Sequence, residues 1–161
     1  NRTRLAQVAL PTALQGLETV VFNRQNQARL EHGQPNNKVI AQLSWQAQQL
    51  SLSLQATRFG EVTFHHPADG DPDNWVLNSY TQKVESRDQV FRPKWIADAA
   101  LQWRANDRLV YGLQMRNLLD TYPDEHYHSA NTSDGTFRYS RYVQQFGVWG
   151  RHFLISCQLS W

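Results

Sequence analysis

The end of the chain alternates between apolar and mostly polar side chains, and this pattern constrains the fold more than any other feature. Between residues 151 and 161, every second residue is apolar. The apolar set is Phe153, Ile155, Cys157, Leu159 and Trp161, and the set between them is His152, Leu154, Ser156, Gln158 and Ser160. Because successive side chains of a strand point to opposite faces, a period of two predicts a β-strand with one apolar face.

The same alternation recurs in four earlier segments. It predicts strands at about 38–46, 49–64, 94–105 and 108–118, in addition to 151–161. In the segment 94–105 the apolar row begins at Trp95 and ends at Trp103. At about 3.3 Å per residue these two residues lie roughly 26 Å apart along the strand. With a tilt of about 35–45° that distance projects to about 20 Å, close to the apolar band between the aromatic girdles of an outer-membrane barrel.

The connections between these strands differ in length. The links near 47–48 and 105–107 are short enough for hairpin turns. The segments 65–93 and 119–149 are long, rich in Pro, Gly, Asp and Asn, and without a sustained period. Short turns at one side of a sheet and long loops at the other are typical of outer-membrane barrels.

The first part of the chain shows a different spacing. Leu10, Leu14, Leu17 and Val21 recur at helical intervals, and Pro11 suits the start of a helix. We therefore predict a short helix over about 11–22 inside another long loop. We interpret residues 1–8 as the end of a sixth strand.

Composition supports a sheet with one apolar and one wet face. Hydrophobic residues make up only 40% of the chain, whereas aromatic residues reach 12%. The net charge of +2 is small and the basic residues are scattered, so no nucleic-acid surface is predicted. The sequence contains no run of about 18 apolar residues, so no transmembrane helix is predicted. The single cysteine, Cys157, excludes an internal disulfide, and we expect it to be a small residue of the apolar face.

These patterns predict an all-β fold, an antiparallel transmembrane β-barrel fragment that comprises the last five or six strands. Five or six strands leave two unpaired edges in lipid, which is prohibitive, so the rest of the barrel is expected in a longer chain or a separate piece. The alternative is a soluble β-sandwich, for example a carbohydrate-binding domain. That alternative would expose a Gln- and Ser-rich face on every strand.

A second line of reasoning comes from particular motifs in the C-terminal half. Asn117-Leu118-Leu119-Asp120 is followed by Tyr122-Pro123-Asp124, and Gln145-Phe146-Gly147 and Gly150-Arg151 precede the last strand. This order resembles the ending of TonB-dependent outer-membrane receptors, in which an Asn-Leu-Phe-Asp segment precedes a Tyr; here Leu119 replaces the Phe. The segments 29–39 and 57–64 resemble the iron-complex receptors of that family. The terminal Trp161, with Phe153, Ile155 and Leu159, resembles the assembly signal of outer-membrane proteins, which more often ends in Phe.

The resemblance implies a role in nutrient import. It implies a 22-stranded barrel in the outer membrane of a Gram-negative bacterium, with residues 1–161 as the C-terminal part of the barrel domain and the plug domain absent. The implied partners are outer-membrane lipid, the remainder of the barrel and its plug, the TonB complex through a missing N-terminal part, the barrel-assembly machinery and a small metal-chelate ligand such as a ferric siderophore. It implies a periplasmic C-terminus, extracellular loops over 9–37, 65–93 and 119–149, and no cofactor.

Two sets of loop residues are candidates for binding. Ring faces and guanidinium groups could hold an anionic ferric complex. The ligand candidates are Trp75, Tyr80, Tyr127, Arg138, Tyr139 and Arg141. For the aromatic residues, packing between loops or anchoring at the membrane interface is the alternative. Imidazoles near loop carboxylates could hold a metal ion, although their spacing matches no specific ligand pattern and solvated loop residues are the alternative. The metal candidates are His65, His66, His126 and His128.

Motifs for catalysis are not found in the sequence. It contains no nucleophile–base–acid pattern, phosphate-cradling glycine loop or zinc-hydrolase spacing, so an enzyme is not predicted. Import of a scarce nutrient is the leading functional hypothesis. The alternative is an anchoring or passive outer-membrane barrel, as in a porin, an autotransporter or an adhesin.

Overall fold

A computed structural model describes residues 3–161, and antiparallel β-structure dominates this part of the chain. The described strands are β1 (Lys38–Ala47), β2 (Leu50–Phe59), β3 (Val62–Phe64), β4 (Val76–Asn78), β5 (Lys83–Glu85), β6 (Gln89–Phe91), β7 (Lys94–Asn106), β8 (Leu109–Arg116) and β9 (His152–Leu159). The described helices are α1 (Glu18–Val21) and α2 (Arg24–Glu31), with 3-10 turns at Thr12–Leu14, Pro72–Asn74 and Ser129–Thr132. The predicted all-β antiparallel class is confirmed.

The main sheet has five strands in the described residues, in the order β1-β2-β7-β8-β9, and all neighbours are antiparallel. Its register places the apolar positions of successive strands opposite one another. Leu54 of β2 lies opposite Leu43 of β1 and Ala99 of β7, and Met115 of β8 lies opposite Ala99 and Phe153. One face of the sheet is therefore apolar across all five strands.

The apolar face is bordered by aromatic side chains and is largely uncovered. Trp103 stacks on its cross-strand partner Tyr111 with ring centroids 5.7 Å apart, and Trp95 lies near the opposite end of the same strand. Leu43 is 63% exposed and Ile155 is 79% exposed. An exposed apolar face of this extent is typical of a surface that contacts another protein or a membrane.

Polar side chains occupy the other face in matching rows. Gln42 lies opposite Gln55, which lies opposite Asp98, and Ser51 lies opposite both Gln46 and Gln102. Gly112 lies between Gln102 and Ser156 in its row, and a Cβ at this position would collide with the Ser156 hydroxyl. The alternation predicted for the strands therefore separates two faces of opposite character.

Tight turns close two of the hairpins. Gln48 and Gln49 join β1 to β2, with Gln48 in the left-handed region at φ 37°, and Asp107 and Arg108 join β7 to β8. The Asn106 carboxamide oxygen accepts a hydrogen bond from the Arg108 main-chain N–H at 3.0 Å. In this meander both turns lie at one end of the sheet, and the long connections leave from the other end.

The remaining residues form a second compact unit, which we call the loop unit. It comprises residues 3–37, 60–93 and 123–147, whereas 38–59, 94–122 and 148–161 form the sheet unit. The loop unit contains α1, α2, the pair β3–β6 and the hairpin β4–β5. Its apolar core consists of Val62, Phe64, Phe91 and Val143. The segments expected to be loops without regular structure therefore fold into a unit of their own.

Two sequence-based boundaries need correction. The single strand expected over 49–64 is two strands, because the chain breaks at Gly60 and Glu61 and β3 pairs with β6 instead. The Gly60 N–H donates to the Asn37 carbonyl at 2.9 Å, and a Cβ on Gly60 would lie 2.7 Å from the Asn36 carboxamide oxygen, so this close approach favours glycine.

The expected helix over 11–22 is a 3-10 turn followed by the short helix α1. The longer helix α2 begins after Asn23, whose side chain accepts a hydrogen bond from the Asn26 N–H at 3.0 Å as an N-cap. Residues 3–8 form no strand, and residues 1–2 of the strand expected there lie outside the described residues. No helix in the described part of the chain is long and apolar enough to cross a membrane.

Candidate functional site in the loop unit

Arg24 of α2 connects the first long segment (9–37) to the second (65–93). The Arg24 guanidinium donates to both carboxylate oxygens of Asp88, one of them at 2.7 Å, and to the His66 carbonyl at 2.9 Å. Asp88 also accepts from the His66 main-chain N–H at 2.8 Å. Burial raises the pKa of Asp88, but the hydrogen bonds from Arg24 and His66 outweigh it and hold that pKa below its usual value. A charged, fork-like contact therefore fixes α2 against residues 66–88.

A second carboxylate is buried inside the segment 65–93. The side chain of Asp69 is fully buried and accepts from Arg87 Nε at 2.8 Å and from the Ser86 hydroxyl at 3.1 Å. Arg87 also donates to the Asn74 carbonyl at 3.0 Å. Burial raises the pKa of Asp69, yet the bonds from Arg87 and Ser86 hold it below the usual value. The buried charge is thus paired and hydrogen-bonded.

Asn78 joins the β4–β5 hairpin to the third long segment. Its fully buried carboxamide donates to the Tyr127 carbonyl at 3.0 Å and to the Glu85 carboxylate at 2.6 Å. Its oxygen accepts from the Ser129 N–H at 3.1 Å and from the Tyr80 N–H at 3.1 Å. All hydrogen-bonding positions of this side chain are used, so Asn78 is a structural residue.

The structure changes the picture of the four candidate metal histidines. His128 is fully buried; its Nδ1 accepts from the Ala130 N–H at 3.1 Å, which leaves Nε2 as the donor toward the Val76 carbonyl at 3.3 Å. Both ring nitrogens of His128 are thus in hydrogen bonds, and its burial differs from the solvated loop residue considered as the alternative; metal binding by His128 stays a prediction. Among the described residues, no group of three or more His, Cys, Asp or Glu side chains is placed to hold a metal ion.

The other three candidate histidines lie in different surroundings. The ring of His65 lies 6.3 Å from that of His32, and His66 Nδ1 lies 3.3 Å from an Asp69 oxygen. His126 is buried, with Nδ1 3.3 Å from the Gln89 carboxamide oxygen. Burial lowers the pKa of all three, assisted by Arg24 at His65, by Arg87 at His66 and by Arg141 at His126. Of these residues, only His66 and His126 line a common cleft.

The six ligand candidates also separate into two groups. Trp75, Tyr80 and Tyr127 lie at or beside the β4–β5 hairpin, where the Tyr127 hydroxyl donates to the Ser86 carbonyl. Arg138, Tyr139 and Arg141 lie in the third long segment, and Arg138 forms an ion pair with Glu125 at 2.6 Å. Arg141 lines the cleft described below and Tyr127 lines another depression beside Gln89 and Arg92, and the role of the six residues in binding stays a prediction.

Arg141 faces a small cleft of about 130 Å³ in the loop unit. The cleft is lined by Gln25, Phe64, His66, Pro67, His126, Ala130, Asn131, Ser133, Arg141 and Tyr142. The rings of Phe64 and Tyr142 stack at 5.7 Å, and the His126 ring meets Phe64 edge-on at 6.2 Å. This cleft is a candidate binding site of the loop unit to which His66, His126 and Arg141 contribute.

Sequence reasoning named three residues of this cleft in separate roles, His66 and His126 for a metal and Arg141 for a ligand. It placed Phe64 at the end of a strand of the main sheet and named Tyr142 only as one of several loop aromatics. The signal that separates Phe64 from that strand is Gly60, which breaks the alternation four residues earlier. The contact between Phe64 and Tyr142 joins residues far apart in the sequence, and no local pattern indicates it.

The residues expected to carry the assembly signal lie at one edge of the sheet unit. Phe153, Ile155 and Leu159 share the apolar face of β9, and Trp161 follows two residues after the strand ends. In the described residues β9 pairs on one side only, with β8, and β1 likewise pairs only with β2. The recognition of this strand by an assembly machinery stays a prediction.

Comparison with known proteins gives a limited result. No family model matches the chain. No curated protein matches it. Among solved structures, the open form of the ferric-catecholate import receptor Fiu from E. coli K12 is similar, with 23% sequence identity and a TM-score of 0.45. The match covers 78% of this chain and 15% of that receptor, so the chain spans only a small part of the receptor's length.

Proposed function

We propose that this chain forms part of the wall and the outer loops of an outer-membrane transporter of the TonB-dependent type. The observation that carries the proposal is the continuous, exposed apolar face across five antiparallel strands, with Trp and Tyr side chains toward its borders. Lipid is the environment that matches such a face, since soluble monomers rarely expose apolar patches of this extent. The matching polar face would line the lumen, where Gln, Ser and Asp98 can bond water or a plug.

The open edges of the sheet determine what else the transporter needs. Within the described residues, β1 and β9 each have one neighbouring strand. Unpaired N–H and C=O groups are too costly in the hydrocarbon region of a bilayer. Further strands, from a longer chain or from a separate piece, would therefore pair with both edges and close a barrel, and a plug and the TonB complex would complete the transporter.

The loop unit would be the part that meets the cargo. In the proposed orientation the tight turns and the C-terminus are periplasmic, and the residues of the loop unit are extracellular. A folded loop unit presents a defined surface, which favours ligand capture over passive leakage. The cargo class we propose is a scarce nutrient carried as a metal complex, for example a ferric siderophore.

Uptake measurements test this function. The gene that encodes the chain would be deleted, and uptake of labelled ferric siderophores would be measured under iron limitation, with the full-length gene restored on a plasmid as the control. We expect the protein in the outer-membrane fraction and a loss of uptake that the plasmid reverses. Outer-membrane location with unchanged growth under iron, zinc and cobalamin limitation would instead support an anchoring or passive barrel. A monodisperse soluble monomer without detergent would refute both.

A further inference from the structure

We propose that the cleft beside Arg141 binds an oxyanion, a carboxylate or phosphate group of a small molecule, with the Arg141 guanidinium as its main contact. The proposal rests on the contacts of Arg141, on the side chains that line the cleft and on the charge balance around it. That this anion belongs to the imported cargo rests on the proposed function, whereas oxyanion binding itself does not.

The contacts of Arg141 differ from those of four arginines of the loop unit that form ion pairs. Arg24 pairs with Asp88, Arg87 with Asp69, Arg92 with Asp124, and Arg138 with Glu125. Arg141 has no carboxylate partner and no hydrogen bond in the described part of the chain. Instead its guanidinium carbon lies 4.3 Å from the ring centroid of Phe137 and 5.4 Å from that of Tyr142. Cation–π contacts hold the group in place and leave its in-plane N–H donors for a ligand.

The lining of the cleft supplies further donors and no acid. Gln25 and Ser133 border the cleft, and their side chains make no hydrogen bond within the described residues. None of the described side chains that line the cleft is a carboxylate. A guanidinium fork surrounded by neutral donors is the arrangement that carboxylates and phosphates match best, because both can accept two parallel hydrogen bonds.

The buried neighbour of Arg141 adds an electrostatic argument. His126 is only 8% exposed, and burial followed by the charge of Arg141 lowers its pKa. The positive charge of Arg141, which is exposed to solvent, has no carboxylate partner among the described side chains that line the cleft. An oxyanion would compensate that charge, whereas a metal cation would be repelled by it and would find no group of three ligands among the described residues.

Direct binding measurements test the proposal. Full-length protein in detergent would be titrated by calorimetry with metal-free citrate and, separately, with inorganic phosphate. Arg141→Gln removes the guanidinium, and Ala130→Leu fills the cleft without changing Arg141. Arg29→Gln is the matched control, because it removes an exposed arginine of the loop unit that does not line the cleft. We expect the wild type to bind at least one of the two anions. Affinity should be about tenfold weaker or more in Arg141→Gln and Ala130→Leu, because a charge-assisted hydrogen bond is lost or blocked. Affinity should be unchanged in Arg29→Gln.

The outcomes separate the possible sources of the anion. Binding of citrate alone indicates a carboxylate ligand, and binding of phosphate alone indicates a phosphate-bearing one. Absence of binding for both anions, or equal affinity in wild type, Arg141→Gln and Ala130→Leu, overturns the proposal. The binding and uptake experiments can also give different results. If the variants lose anion binding but the deletion strain takes up nutrients normally, the oxyanion site is supported and only the transport function is refuted.

Discussion

Asn117 is the residue at which the regular strand β8 gives way to the turn that follows. Its backbone lies in the left-handed region at φ 51°, and its N–H donates to the Asp98 carboxylate at 2.9 Å. Its carboxamide donates to the Thr121 carbonyl at 2.8 Å and to the Trp149 carbonyl at 3.3 Å, and it accepts from the Thr121 N–H at 2.9 Å. One buried side chain therefore connects the turn to Trp149, three residues before β9.

Asp120, the last residue of the segment Asn117–Asp120, also contacts the segment before β9. Asp120 accepts a hydrogen bond from the Arg151 main-chain N–H at 2.8 Å. Gly150 lies against the Tyr122 hydroxyl, so that a Cβ at Gly150 would collide with it. The order Asn117, Asp120, Tyr122 and Gly150 thus has a physical reason within the sheet unit: these residues set where β8 ends and β9 begins.

We expect Asn117→Ala to destabilise the sheet unit by about 3 kcal/mol, since alanine disfavours the left-handed backbone by about 1–2 kcal/mol and buried partners lose their bonds at about 1–3 kcal/mol. Urea unfolding of the full-length protein in lipid vesicles measures this. Asn117→Gly should recover only the backbone part. The control is Leu119→Ala in the same turn, where the side chain is mostly exposed. Equal losses for Asn117→Ala and Leu119→Ala would contradict this role.

At the scale of single elements, β2 shows how the alternation separates the two faces. Leu54 lies in the apolar row between Leu43 and Ala99, whereas its neighbour Ser53 lies in the polar row between Ser44 and Ala100. The two positions are adjacent in sequence and differ in the face they occupy. The pattern was readable from the sequence because strand geometry alone determines which positions share a face.

This difference predicts opposite outcomes for two adjacent arginine substitutions. Leu54→Arg should lower the stability of the protein in lipid vesicles, measured as the free energy of unfolding, by about 2–4 kcal/mol. This is the cost of a charge near the middle of the bilayer on a barrel's outer face. Ser53→Arg should fold nearly as well as the wild type, because the polar face meets water or protein. Heat-modifiable mobility in gels and urea titration report both. If the two variants fold equally well, the apolar face does not contact lipid.

At the scale of the whole molecule, the long segments are held by charges and amides from distant parts of the chain. The buried Gln145 carboxamide donates to the carbonyls of Gly60 and Arg92, the latter at 2.9 Å, and so joins the third segment to the second. Arg24 joins the first segment to Asp88. These contacts explain why sequences without periodicity nevertheless fold.

The two paired carboxylates make the loop unit sensitive to acid. The pKa values of Asp69 and Asp88 lie below their usual values, because hydrogen bonds from Arg87 and Arg24 outweigh the opposing effect of burial. Groups with lowered folded-state pKa values stabilise the fold above the unfolded pKa, about 3.9 for Asp, and this stabilisation is lost as the pH falls through the folded values. Limited proteolysis with pepsin should therefore cut the loop unit increasingly below about pH 4.

Asp69→Asn provides the matched comparison for the acid experiment. This variant leaves Arg87 without its carboxylate, so the loop unit should be more susceptible to trypsin already at pH 7 and should lose less additional protection on acidification. The sheet unit should keep its cleavage resistance in both proteins. Identical protease profiles of wild type and Asp69→Asn at both pH values would show that this ion pair does not hold the loop unit together.

The sequence by itself determined the sheet. Strand positions, hairpin turns and the assignment of each side chain to an apolar or polar face follow from a period of two, which is a local property of the backbone. Only the tertiary structure decided the loop unit, including the pairing of β3 with β6, the helix α2, the buried state of His128 and the cleft beside Arg141. Those features depend on contacts such as Gln145 with Gly60 and Phe64 with Tyr142, which join residues far apart in the chain. Such contacts leave no periodic trace in the sequence, because each is formed by a few side chains that meet only after the chain has folded.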